Sequence, residues 1–423
     1  MSVKKNILEN GLKIITEKIP ASTSVSIGFW IKSGSRDENE SESGYAHFVE
    51  HMLFKGTKKR TAQDIAKEVD RVGAYLNATT TREYTGYFIN IRKDKLELAL
   101  DILTDIIENS TFPEKEIKRE KQVVLEEIKM YEDSPDELVH DHLFEAMLWK
   151  HPLGKPILGD RRSIKKIKRR KILNFYNKYY TPNRLVISGA GYLDHNYVLK
   201  YLEKKKFLYS RRKSENELYN FTNKFQSRDY VVIRNLAQVH FCLGFRGIPA
   251  DHPLRHSLYV LNTMLGSSMS SRLFQQIREK FGLCYSIYSF YSAFKEYGIF
   301  GIYAGTSIET FEKSFNKIIE EIKKIKKYGF TKDEIEDAKE HIKGHLALSY
   351  ENNEIRMNRL AKQEMIFGRY FSYNEIVKLI DKVNTDTIME VVEKIFPSNY
   401  KIVISSIGEE RHTKILNKLP IVL

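Results

Sequence analysis

The chain repeats itself. "FYNKYYTPNRLVISGAG" at 175–191 is echoed by "VVEKIFPSNYKIVISSIG" at 391–408, and the triplets Val186–Ser188 and Val403–Ser405 stand 217 residues apart. "FPEKEIKREKQVVLEEI" from Phe112 is echoed by "FTKDEIEDAKEHIKGHL" from Phe330, an offset of 218. "TGYFINI" before one long helical pattern matches "YGIFGIYAGT" before another. Three echoes in one order at nearly one offset point to a fold used twice rather than one undivided core. A length of 423 residues accommodates this, since single cores stop growing well short of it. The predicted domains are 1–205 and 230–423, joined by the charged, pattern-poor segment 206–229, "KFLYSRRKSENELYNFTNKFQSRD".

Each half reads as mixed α and β. "VSIGFWIKSGS" and "YTGYFINI" are rich in β-branched and aromatic residues and predict strands. "TAQDIAKEVDRVGA" predicts a helix capped by Thr61, with Ile65, Val69 and Val72 on one face and Gly73 as its stop. "FPEKEIKREKQVVLEEIKMYEDSP" predicts a longer helix ending before Pro135. The fold class is α+β: two related domains, each a mixed or antiparallel sheet packed with helices.

Hydrophobic residues make up 42% of the chain, enough for two packed cores. No run of 18 uncharged apolar residues predicts a membrane span. The first twenty residues carry charges too frequent for a secretory signal. Cys242 and Cys284 form no metal or redox spacing and fit a reducing compartment, so the cytoplasm is expected. The net charge of +14 raises a nucleic-acid reading, with "RRSIKKIKRRK" at 161–171 as its densest stretch. That stretch lacks interleaved aromatics and reads as a solvated helix start, so no nucleic-acid partner is expected.

"GYAHFVEHMLFKGT" at 44–57 carries the chemistry. On a helix, His47 and His51 are offset by about 40°, so both can face one ion. Glu50 lies beside the same face. This H-x-x-E-H order is the mirror of H-E-x-x-H. Imidazoles suit zinc, a catalytic zinc takes three protein ligands and a water, and Glu50 is placed to act as general base. The bland alternative is a buried helix with satisfied histidines. On the next long helix, Glu120 and Glu127 are seven apart and share a face. Glu127 is the candidate third ligand, and Glu120 the carboxylate that orients a ligating histidine; a solvated helix surface is the alternative for both. At the 218 offset, Glu127 falls opposite His345 and Glu120 opposite Ala338. "MLGSSMSSRLF", opposite the His47–His51 helix, holds no histidine or glutamate. Residues needed only for folding should recur in both halves, so the asymmetry favours chemistry.

Taken together, "NGLKIITEKIP", "GYAHFVEHMLFKGT" and "VVLEEIKMYEDSPDELVHD", with 76 residues from His51 to Glu127, resemble the inverted-zincin peptidases of the pitrilysin and insulinase family. In particular the chain looks like the half-length branch that includes mitochondrial processing peptidase subunits and their bacterial relatives. The resemblance implies one zinc per chain on His47, His51 and Glu127, Glu50 as base, and endopeptidase activity on extended, unfolded peptides. It implies that Asn77 and Ala78, in "GAYLNATTTREYTGYF", contact substrate backbone along a sheet edge. It further implies that Arg278 and Tyr285, in "SSRLFQQIREKFGLCYSIYSFYSAF", contact substrate near the metal. Taken alone, that pair at helical spacing reads as packing. Because one half-length chain carries both sets, the resemblance implies a homodimer enclosing a chamber, each chain completing the other's site. The alternative within the same fold is a non-catalytic or partner-requiring interaction subunit.

Overall fold

The computed structural model describes residues 3–205 and 226–423. The chain forms two compact units. The first holds a six-stranded sheet of β1 (Val3–Ile7), β2 (Lys13–Lys18), β3 (Ser24–Ile31), β4 (Tyr75–Thr80), β5 (Thr85–Arg92) and β6 (Leu185–Gly191), in the order β1-β2-β6-β3-β5-β4. The second holds β7 (Tyr230–Ile233), β8 (Val239–Gly247), β9 (Cys284–Ala293), β10 (Gly298–Thr306) and β11 (Val403–Gly408), in the order β7-β11-β8-β10-β9. Dropping the edge strand β1, the two orders superpose strand for strand. The β2–β6 and β7–β11 pairs are both parallel, and every other pair is antiparallel. The sequence echoes are therefore a repeated topology, and the α+β expectation holds.

Five helices of the first half matter below: α1 (Tyr45–Leu53), α2 (Ala62–Asp70), α3 (Leu96–Asn109), α4 (Glu114–Glu132) and α5 (Pro135–Met147). Strand β3 is buried along nearly its whole length, as a strand covered on both faces must be. On one face Val25, Ile27, Phe29 and Ile31 share a core with Phe48 and Met52 of α1, Leu103 of α3 and Val124 of α4. On the other, Trp30 packs with Ile15, Phe88 and Val186 beneath Met357, Leu360 and Ala361 of the helix Asn353–Phe367. Gly86 makes room for this indole, since a Cβ there would lie 2.3 Å from the ring.

The units are not the contiguous halves that the repeats predict. The first unit takes in Leu348–Tyr370, and the second takes in Tyr131–Gly154. The helices exchanged are equivalent copies: Pro135 to Asn353 is again 218 residues. In the second unit α5 lays Leu138, Val139, Leu143 and Met147 over Cys242, Tyr303, Val403 and Ile407. Self-similarity reveals what was copied, whereas the choice of sheet is made by whichever uncovered apolar face each helix meets. Of the expected linker, 206–225 lies outside the described residues, and Gln226 already pairs with Trp149 within the second unit.

The local expectations at the ends of α2 hold. Thr61 caps α2, accepting from Asp64 N in a capping box, and Gly73 adopts φ +63° after its end. The basic stretch 161–171 forms two helices, Arg161–Lys166 and Arg169–Tyr179, whose Ile164 and Ile172 enter the core between exposed basic side chains. Cys242 and Cys284 are free and buried. No helix among the described residues is long and apolar enough to cross a membrane.

Candidate metal centre

Helix α1 is almost wholly buried, with Phe48, Val49 and Met52 in the core, and this packing aims its polar stripe at α4. The imidazoles of His47 and His51 stand 4.5 Å apart by ring centroid, with their Nε2 atoms 3.2 Å apart. The Glu127 carboxylate of α4 lies 3.6 Å from each Nε2. The three donor atoms lie within 4.8 Å of one another, and among the described residues no other group of three or more His, Cys, Asp or Glu does so.

Around this trio, Glu120 accepts from His51 Nδ1 at 3.0 Å and from Lys55 Nζ at 2.8 Å. A proton held at Nδ1 leaves Nε2 with a free lone pair, as a metal-binding imidazole requires. Burial and the neighbouring His51 push His47 down to about 3, so at neutral pH it too offers a lone pair. Its Nδ1 is buried and has no hydrogen-bond partner. For His51, burial lowers the pKa, but the Glu120 hydrogen bond and the charges of Glu127 and Glu50 outweigh it and the net direction is up. Burial raises Glu127. Two Nε2 atoms and a carboxylate converging on one point fit a cation. Two imidazoles and one oxygen donor fit zinc and leave a coordination position open.

Glu50 stands beside the trio, its Oε2 accepting a hydrogen bond from the Thr80 hydroxyl at the end of β4. Burial raises its pKa, against the Thr80 bond and His51, which lower it. Strand β4 is the edge of the sheet, as expected for the segment containing Asn77 and Ala78. The Asn77 side chain is exposed and engaged along its own strand, donating to the Tyr75 hydroxyl at 2.6 Å and accepting from Ala78 N at 2.8 Å. Ala78 packs half-buried against the core.

Arg278 and Tyr285 lie in the second unit, where the structure changes the reason for their proximity. Arg278 belongs to the helical stretch Phe274–Lys280, whereas Tyr285 lies in β9, beyond a turn at Gly282. They meet across that turn rather than along one helix face. The guanidinium sits 5.0 Å from the Tyr285 ring centroid, and the tyrosine is 78% exposed. The second unit also carries a histidine pair, His341 and His345, with rings 4.4 Å apart, but both are exposed and no third ligand joins them among the described residues.

Sequence reasoning passed over Thr80 and Lys55. Lys55 lies two residues beyond the end of α1 and reaches Glu120 from there. Thr80 gave no local signal; only the sheet brings the end of β4 to α1.

Residues 13–161 match the family profile "Insulinase (Peptidase family M16)", and residues 166–342 match "Peptidase M16 inactive domain". A Bacillus subtilis protein named an uncharacterized zinc protease, YmxG, is 38% identical over 404 residues, covering 96% of this chain and 98% of its own. A Streptomyces coelicolor protein, also named an uncharacterized zinc protease, is 36% identical over 400 residues, covering 93% and 87%. The crystal structure of a protease from Helicobacter pylori shares the fold, with a TM-score of 0.87 at 22% identity over 96% of this chain and 99% of that one. With both profiles matched in order and relatives aligned almost end to end, the chain belongs to the insulinase family of peptidases, M16.

Proposed function

We propose that this protein is a zinc-dependent endopeptidase acting on extended, unfolded peptides. The observation that carries the reading is the convergence of His47, His51 and Glu127 within 4.8 Å, with the Glu50 carboxylate alongside. Zinc held by these residues supplies Lewis acidity toward water and the scissile carbonyl. Thr80 binds one oxygen of Glu50, leaving Oε1 to take the proton from the attacking water. An extended peptide pairs with the open edge of β4, so main-chain bonds supply affinity and few side chains are selected. Relatives named zinc proteases that align over nearly their full length support the activity class. The free, buried cysteines fit work in the cytoplasm.

Cleavage of a quenched, unstructured peptide should stop on chelation and return with zinc. Cleavage that continues in a protein verified to be metal-free would refute the reading. Bound zinc without any cleavage would assign the chain to a non-catalytic or partner-requiring role.

The reading extends to assembly: two copies enclose a chamber, and Arg278 and Tyr285 of one copy serve the metal of the other. The exposure of Tyr285 supports this, since a side chain built only for packing would be covered. There its hydroxyl donates to the developing oxyanion while Arg278 anchors a carbonyl. Mixing a Glu50→Gln chain with a Tyr285→Phe chain should restore part of the activity that each lacks alone. A mixture no more active than the sum of its parts rules out shared sites.

A further inference from the structure

Helix α1 begins without a cap of its own. Its N-cap position is Gly44, which has no side chain and adopts φ +85°. A capping Ser, Thr or Asp is excluded there on two counts. The left-handed backbone disfavours any Cβ, and one would lie 2.7 Å from the Leu158 carbonyl oxygen. The first-turn amides of a buried helix must nevertheless find acceptors. Glu38 provides them from outside the helix, with Oε2 accepting from Gly44 N at 2.9 Å and Oε1 from Ala46 N at 2.8 Å. Its side chain is buried, with the residue only 3% exposed.

The loop carrying Glu38 is held independently of α1. Asp37 accepts from Gly34 N at 2.9 Å and pairs with Arg184 at 3.3 Å, while its carbonyl accepts from the Tyr179 hydroxyl at 2.7 Å. Ser35 N and Arg36 N donate to the carbonyls of Thr81 and Arg82, immediately beyond Thr80. Lys155 donates to the Glu38 carbonyl. One loop thus grips both the start of α1 and the segment just beyond the strand that orients Glu50.

We propose that Glu38 is a positioning residue for the metal set, fixing the start of α1 and so the rotation at which His47, Glu50 and His51 meet Glu127. His47 is the third residue of α1 and the neighbour of capped Ala46. A slip of one residue at the cap turns a helix by about 100° and moves it by about 1.5 Å, enough to take His47 off the ion. The inference rests on the metallopeptidase reading. Burial raises the Glu38 pKa well above the carboxylate range, against the two amides and Lys155, which lower it. Gln has the same shape but replaces one acceptor oxygen with a donor, so one of the two amides loses its partner.

The test compares zinc affinity by chelator competition, together with kcat and KM on the quenched peptide, in wild type, Glu38→Gln and Thr61→Ala. The last removes an ordinary cap, that of α2 in the same unit. Glu38→Gln should weaken zinc binding about 10–100-fold and lower kcat with little change in KM. Thr61→Ala should lose thermal stability but keep wild-type zinc affinity and kcat. Equal affinity and turnover in Glu38→Gln and wild type, or losses matched by Thr61→Ala, overturn the inference while the metallopeptidase reading stands. A wild type with neither zinc nor cleavage removes that reading, and the inference with it. Hydrogen exchange in the wild type keeps the claim testable if the variant does not fold: the Gly44 and Ala46 amides should be protected, and free exchange at either overturns the cap.

Discussion

Glu50→Gln should lower the rate of peptide cleavage about 10²–10⁴-fold while the protein keeps its zinc. The substitution preserves shape, and a glutamine side-chain oxygen can still accept from Thr80, so β4 and α1 stay joined. The three donors that converge are His47, His51 and Glu127, and Glu50 is not among them. What is lost is a group that can take a proton. Metal analysis beside the rate measurement distinguishes the outcomes. Loss of zinc along with activity would make Glu50 part of the ligand set, and retained activity would place the base elsewhere.

Arg356→Met should destabilise the protein by about 3–5 kcal/mol, the cost of stranding one member of a buried ion pair. Arg356 Nε donates to Glu17 at 2.9 Å and Nη1 to the Tyr350 carbonyl at 2.8 Å, and Arg356 and Glu17 are each only 3% exposed. Neutralising Glu17 as well, in Glu17→Gln/Arg356→Met, should recover part of the loss, because the uncompensated charge is the larger penalty. Chemical unfolding measures both. A single variant within about 1 kcal/mol of wild type would mean that Glu17 finds another partner or water. The pair matters because Arg356 sits on the helix Asn353–Phe367, which crosses from the second half of the sequence to cover the first sheet.

Much of the site was legible locally because it is periodic. His47 and His51 share a face at four residues, Glu120 and Glu127 at seven, and each pair projects toward the other as helix geometry requires. The repeat was legible too, since two copies of one topology keep similar apolar runs and turn residues. Arg278 and Tyr285 show where periodicity misleads: seven residues matched a helix face, yet a glycine turn and a strand bring them together.

Local sequence by itself determined the strands, the helix caps at Thr61 and Gly73, and the faces carrying the histidines and glutamates, because those depend on neighbours a few residues away. Tertiary structure alone decided three further things. It chose which sheet α5 and its copy would cover, it brought Thr80 to Glu50, and it set Glu38 as the cap of a helix that starts on glycine. Each joins segments whose spacing carries no pattern, and each was settled by the burial of an apolar face or by the need of a buried polar group for a partner.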